Sequence, residues 1–121
     1  MAREWQARYV SEVDEWLTVT EVGERLGLPV SRIQQMLRDG ALAGVRQDDG
    51  QVRVPADLLV GDAVVKGLNG VLTLLRDAGY SDDEALRWLH TPDDTLPGTP
   101  VEALRTDRGK EVKRRAQALG F

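Results

Sequence analysis

The stretch from residue 30 to residue 39, VSRIQQMLRD, carries hydrogen-bonding side chains at helical spacing. On a helix, the outward-facing residues would be Val30, Ser31, Arg32, Gln34, Gln35 and Arg38. Glutamine bonds bidentately to adenine and arginine to guanine at their major-groove edges, while serine and arginine also reach phosphates. A purely structural helix more often carries Glu and Lys on this face, and here only Asp39 is acidic. The row therefore predicts a recognition helix, residues 30–39, for the major groove of double-stranded DNA; the alternative is a merely solvated face.

Two further basic residues lie in a predicted β-hairpin. Asp-Gly at 49–50 between apolar residues is a strong hairpin signal, and Pro55 would close the second strand. The apolar row of this segment is Leu42, Val45, Val52 and Val54. We expect Arg46 and Arg53 to point away from the valines, as a wing that contacts the phosphate backbone. The acidic tip at 48–49 argues against deep insertion into the minor groove.

A helix-turn-helix would position the recognition helix. Thr18 and Glu21 form a capping box that predicts a helix over 19–26, which Gly27 would end. Pro29 suits the start of the next helix, and Gly40 its end. The residues that would form the shared core are Val22, Gly23, Leu26, Leu28, Ile33 and either Met36 or Leu37. We expect Gly23 to permit close helix approach and Leu28 to fill the turn.

The segment before this motif has an amphipathic spacing. Trp5, Tyr9, Val13 and Trp16 recur at intervals of four, four and three residues, which is one face of a helix. We expect an N-terminal helix that docks on the core; the alternative is a helix that binds a partner.

From Ala56 onward the pattern is helical. Capping boxes at SDDE (81–84) and TPVE (99–102) start two helices, and a loop of Pro, Gly and Asp separates them. A last helix, near residues 109–119, places Lys110, Lys113 and Arg114 on one face. This basic face would extend a DNA footprint, contact a partner, or only offset the acidic middle of the chain.

No residue set predicts catalysis or metal binding. His90 is the only histidine, cysteine is absent, and no Ser/His/Asp set or phosphate-cradling glycine loop is present. We expect His90 at the surface or at a helix end. The acidic run 82–84 stabilises the dipole of its helix. The sequence therefore predicts a protein that is not an enzyme and has no cofactor and no metal.

Charge and composition bound the possible functions. The 121 residues carry a net charge of -4, which is unusual for a nucleic-acid-binding domain. The charge is uneven, because residues 105–121 carry six basic and two acidic side chains. Neither a membrane-spanning run nor an apolar secretory leader is present, so we expect a cytoplasmic, nucleoid-associated protein.

Two segments carry a resemblance to a known family. LTVTEVGERLGLPVSRIQQMLRDGALAGVR resembles the DNA-binding half of the small actinobacterial winged helix-turn-helix proteins, whose mycobacterial member is a serine/threonine protein kinase substrate. WLHTPDDTLPGTP and RGKEVKRRAQAL resemble the family's C-terminal half, which is also similar in outline to the toxin-binding region of Xre/MbcA/ParS antitoxins. The resemblance implies double-stranded DNA as partner and a kinase that phosphorylates an N-terminal threonine. Here the chain departs from the family, since its tail before Trp16 contains Ser11 but no threonine.

Together these observations predict a mainly α fold: a winged helix-turn-helix with a small β-hairpin wing, residues 1–60, and a C-terminal helical domain, residues 61–121. The predicted function is sequence-specific or semi-specific binding of double-stranded DNA by a transcription regulator. The alternative is a protein-interaction module that binds a partner through the C-terminal half, as antitoxins do. Monomer and dimer both stay open.

Overall fold

The computed structural model describes residues 13–120, in which six helices and five short strands follow one another. In chain order they are β1 (Trp16–Thr18), α1 (Val19–Leu26), α2 (Val30–Asp39), β2 (Val45–Arg46), β3 (Val52–Pro55), a 3₁₀ turn (Ala56–Leu58), β4 (Leu59–Val60), β5 (Ala63–Val64), α3 (Leu68–Asp77), α4 (Asp82–Leu89), α5 (Pro100–Arg105) and α6 (Gly109–Ala118). The predicted fold class is confirmed: a winged helix-turn-helix with a small β-hairpin wing, followed by a helical C-terminal region.

Three of the helices begin with the capping boxes that the sequence predicts. At the start of α1, the Glu21 backbone N donates to Thr18 Oγ1 at 3.1 Å, and the Thr18 backbone N donates to Glu21 Oε1 at 2.8 Å. The backbone N–H of Thr18, and then its hydroxyl, lower the pKa of Glu21. The same reciprocal pairs open α4, at Ser81, and α5, at Thr99. Each box satisfies backbone N–H groups that a helix start otherwise leaves unpaired.

The core between α1 and α2 depends on one close approach. Val22 and Ile33 are fully buried there. A Cβ placed on Gly23 would lie 2.7 Å from the carbonyl oxygen of Leu28, so only glycine fits, as the sequence predicts. The expectation that the Leu28 side chain fills the turn is wrong, because that side chain is 37% exposed and the Leu28 backbone takes the position instead.

A three-stranded antiparallel sheet in the order β1-β3-β2 covers this core. Leu17 pairs with Val54, and both side chains are buried. The predicted N-terminal helix is wrong for Trp16, which lies in β1 opposite Pro55, and for Val13, which is buried but outside any helix. The strand forms because its backbone groups pair with β3, a contact distant in sequence that helical spacing does not reveal. The other two aromatic residues of that prediction, Trp5 and Tyr9, lie outside the described residues.

The C-terminal helices share a continuous apolar core with the N-terminal half. Leu68, Leu72 and Leu75 of α3 are fully buried in it. Polar contacts also join the two halves: Arg105 Nη1 donates to the carbonyl oxygen of Leu59 at 2.6 Å and to that of Asp57 at 3.0 Å. The predicted domain boundary at residue 60 falls within the β4–β5 hairpin.

His90 also joins the two halves. The sequence predicts His90 at the surface or at a helix end. It lies at the end of α4, and its ring is buried and not at the surface. Its Nδ1 lies 2.7 Å from the Leu86 carbonyl oxygen, and its Nε2 lies 2.9 Å from Asp57 Oδ2. Both ring nitrogens therefore lie within hydrogen-bonding distance of an oxygen atom. The sequence gives no sign of this pair, because 33 residues separate its members.

Across residues 13–120, no helix is long and apolar enough to span a bilayer. Within the same range, no group of three or more His, Cys, Asp or Glu side chains has the arrangement of a metal site.

Candidate nucleic-acid interface

The outer face of α2 displays the row of side chains that the sequence singles out. Ile33 is fully buried beneath it, and Met36 and Leu37 are half-buried. The exposed residues of the row are Val30, Ser31, Arg32, Gln34, Gln35 and Arg38. No other segment of the described chain covers this face, so these side chains are open to solvent within residues 13–120.

The polar ends of this row are almost entirely uncommitted. Arg32 Nη1 donates to Gln35 Oε1 at 3.4 Å, a weak contact between two exposed side chains. Within residues 13–120, the side chains of Ser31, Gln34 and Arg38 have no hydrogen-bonding or ionic partner. Binding a ligand here would therefore break almost no interaction within the protein.

The start of α2 lacks a capping side chain. Pro29 occupies the cap position and has no side-chain hydrogen bond to the helix, and no acidic residue lies in the first turn. The exposed backbone N–H groups of Val30 and Ser31 therefore stay available, and the helix dipole adds positive potential. Such a helix start binds a phosphate group well.

The wing differs from its prediction in register. Val45 pairs with Arg53, and Arg46 pairs with Val52. Cross-strand partners share a face of the sheet, so the two arginines lie on opposite faces and the expectation that both point away from one apolar row is wrong. The cause is the three-residue turn 48–50, in which Gly50 has φ 82°. A turn of this length pairs Val45 with Arg53, so the Val45 side chain lies on the opposite face of the sheet from the valines of β3.

Both wing arginines already have partners within the hairpin. Arg53 forms an ion pair with Asp49, with Nη2 2.8 Å from Oδ2 and Nη1 3.1 Å from Oδ1, and its Nη1 also donates to Gln47 Oε1 at 2.8 Å. The side-chain hydrogen bond from Arg53 lowers the pKa of Asp49, and the same bond raises the pKa of Arg53. Arg46 Nη1 donates to the carbonyl oxygen of Gly50 at 2.5 Å. The carboxylate of Asp49 thus occupies the position that a phosphate would take on Arg53.

The three basic residues predicted at the C-terminal end are all exposed on α6. Lys110 and Lys113 line a groove with Lys66, a residue that the sequence analysis missed, whereas Arg114 does not line it. Lys66 and α6 are far apart in the chain, so no local pattern reveals that they meet.

These features define the class of protein: a winged helix-turn-helix with an exposed polar face on its second helix. The family described as "DNA-binding protein Rv2175c, wHTH domain" matches residues 8–59, and the family described as "Rv2175c C-terminal domain of unknown function" matches residues 65–120. The chain belongs to the Rv2175c family.

Two comparisons support this membership. The chain is 43% identical over 112 residues to the "DNA-binding protein Rv2175c" of Mycobacterium tuberculosis (strain ATCC 25618 / H37Rv), a match that covers 83% of this chain and 77% of the relative. The NMR structure of Rv2175c superposes with a TM-score of 0.80 at 40% identity, over 88% of this chain and 82% of that one. The kinase partner and the likeness to antitoxins stay predictions.

Proposed function

We propose that this protein binds double-stranded DNA, without enzymatic activity, through the major groove and the outer face of α2. The observation that carries the proposal is the exposed row on α2, whose polar side chains have almost no partners within residues 13–120. The name of the mycobacterial relative, a DNA-binding protein, supports the same partner.

The side chains divide by what each one reaches. Gln34, Gln35 and Arg38 would contact base edges, and Val30 would pack against a thymine methyl group. Ser31 lies at the uncapped helix start and would contact a phosphate, or a base beside it. Arg32, Arg46 and Arg53 would hold the backbone on both sides of the groove, which fixes orientation and carries no sequence information.

The salt dependence of binding measures the number of phosphates held. Each neutralised phosphate contributes a slope of about -0.9 in log K against log salt. Three arginines on phosphates would give a slope of roughly -2.7, and a value nearer -1.8 is expected if Asp49 keeps Arg53. Fluorescence anisotropy with a labelled duplex at several salt concentrations measures it, and a flat response would contradict the proposal.

The sequence preference is found by selecting bound duplexes from a random pool. Arg38→Ala should relax the preference at one base pair. Arg87→Ala removes the same charge from an exposed position on α4 and should leave the selected sequence unchanged.

Such binding would serve transcription regulation by a protein associated with the nucleoid. A single motif has a small footprint, so tight binding would use two copies on half-sites about one helical turn apart.

Regulation by a serine/threonine kinase would meet a structural constraint. Thr18 Oγ1 accepts the hydrogen bond that caps α1. A phosphate there would add a charge of about -1.5 to -2 beside a DNA-binding surface. Phosphorylation at Thr18 would therefore weaken the duplex complex, because the added charge repels the DNA backbone. The protein-interaction alternative would be favoured by a stoichiometric protein partner with no duplex binding.

A further inference from the structure

A concave surface in the C-terminal half carries four basic side chains. The start of α3, the end of α5 and the first turns of α6 border a half-open groove of about 640 Å³. We call it the basic groove and define it by Lys66, Arg108, Lys110 and Lys113. This volume lies within the range of about 300–1,000 Å³ that small-molecule sites have.

The charge of the basic groove contrasts with that of the chain. The protein has only three lysines, Lys66, Lys110 and Lys113, and all three line the groove. With Arg108 they give four positive charges against two negative ones, from Asp107 and Glu111, in a chain whose net charge is -4. Arg108 lies 3.6 Å from Glu111, whereas the lysines have no ionic partner within residues 13–120. The groove therefore attracts an anion.

The wall of the groove offers backbone donors and an apolar patch. Leu104 contributes the apolar surface, and a Cβ on Gly109 would lie 3.8 Å from its Cδ2. A Cβ on Gly70 would meet nothing, so the backbone there is open to a ligand. Neither α3 nor α6 has a capping side chain, and the backbone N–H groups of Gly70, Gly109 and Lys110 have no partner among the described residues. Ammonium groups, backbone N–H donors and an apolar wall together suit a phosphate carried on an organic molecule.

The basic groove is remote from the recognition face. The guanidinium of Arg76, near the end of α3, packs over Gly40 at the end of α2. The groove lies at the opposite end of α3, at Gly67, which is nine residues or roughly 14 Å away along the helix. One ligand at α2 and another in the groove would therefore not compete for the same side chains.

We propose that the basic groove binds a small phosphate-bearing ligand, independently of DNA at α2. Phosphates of a duplex are the other source of the same chemistry, and the test separates the two.

The experiment uses the full chain with its lysines reductively ¹³C-methylated, since every lysine signal then reports on the groove. Pyrophosphate and ADP are titrated separately, with potassium chloride at matched ionic strength as the reference and a short duplex as the third arm. We expect saturable shifts of the lysine methyl signals with pyrophosphate or ADP and none with chloride. Lysine shifts with the duplex alone, or no saturable shift, would overturn the proposal.

Charge-reversal variants locate the site. Lys66→Glu and Lys110→Glu should each weaken pyrophosphate binding at least tenfold, measured by calorimetry. Arg114→Glu makes the same charge change at an exposed position of α6 outside the groove and should weaken pyrophosphate binding less than threefold. Circular dichroism verifies that each variant is folded. Equal losses in all three variants would mean unspecific attraction and would overturn the proposal.

Discussion

The outer face of α2 and the β2–β3 wing both present arginine, but they hold it differently. On α2, the guanidinium of Arg38 has no partner among the described residues, and the helix start has no cap. In the wing, Arg53 is paired with Asp49 and with Gln47. A duplex at α2 would therefore break only the weak contact between Arg32 and Gln35, whereas a phosphate at Arg53 must displace a carboxylate. We infer that α2 dominates affinity and specificity, and that the wing contributes less.

The largest expected effect comes from removing the support of α2. Ile33→Ala should lower the free energy of unfolding by about 2–5 kcal/mol, since it leaves a cavity under a fully buried side chain. Urea unfolding followed by circular dichroism measures the change. Val30 lies on the outer face of the same helix and is 39% exposed, so Val30→Ala should change the free energy of unfolding by less than about 0.5 kcal/mol. Similar losses in both variants would mean that α2 has no buried side.

Arg38→Ala tests the recognition face itself. We expect a loss of about 1–3 kcal/mol in binding the preferred duplex, roughly 5- to 150-fold in Kd, with little change for an unrelated duplex. Anisotropy titrations with both duplexes measure it. A uniform loss on the two duplexes would reduce Arg38 to a phosphate contact.

The cap of α1 concerns stability and not binding. Thr18→Ala removes the hydroxyl that accepts from the Glu21 backbone and should cost about 1 kcal/mol of stability. Thr20→Ala, at an exposed position two residues further along, is the matched control. If thermal unfolding finds both variants as stable as the parent, the capping box contributes nothing measurable.

Asp49→Asn sharpens the comparison at the wing. Freeing Arg53 should strengthen duplex binding two- to fivefold at low salt and steepen the salt slope by about 0.9, one additional phosphate. Asp48→Asn makes the same charge change at the tip without touching that ion pair and serves as the control. Weaker binding in Asp49→Asn would instead mean that Asp49 holds Arg53 ready for the phosphate.

The smallest expected effect is on the pKa of Asp49 in the wing. Arg53 lowers the pKa of Asp49, so the ion pair stabilises the hairpin above the carboxyl's unfolded-state pKa and is lost as pH falls through the lower, folded value. Carboxyl ¹³C titration should place the Asp49 midpoint below the ordinary value of an aspartate, and Arg53→Gln should raise it. A midpoint at the ordinary value in the parent protein would argue that the pair is absent in solution.

Local signals in the sequence were sufficient for most of the helices and for the exposed row on α2. Capping boxes and terminal glycines act within four residues, and the outward row on α2 follows from helical period alone. The errors arose where distant segments decide. Trp16 lies in a strand because β3 pairs with it, and the three-residue turn sets the register of the wing strands. Neither the contact of His90 with Asp57 nor the basic groove has a local signature, because segments far apart in the chain form them.

The side-chain amides of glutamine give the most direct test of the recognition face. In a ¹⁵N-labelled sample titrated with the selected duplex, the amide signals of Gln34 and Gln35 should shift and saturate, while that of Gln117, exposed on α6, should stay in place. If Gln117 shifts and the two glutamines of α2 do not, DNA binds elsewhere and α2 is not the recognition helix.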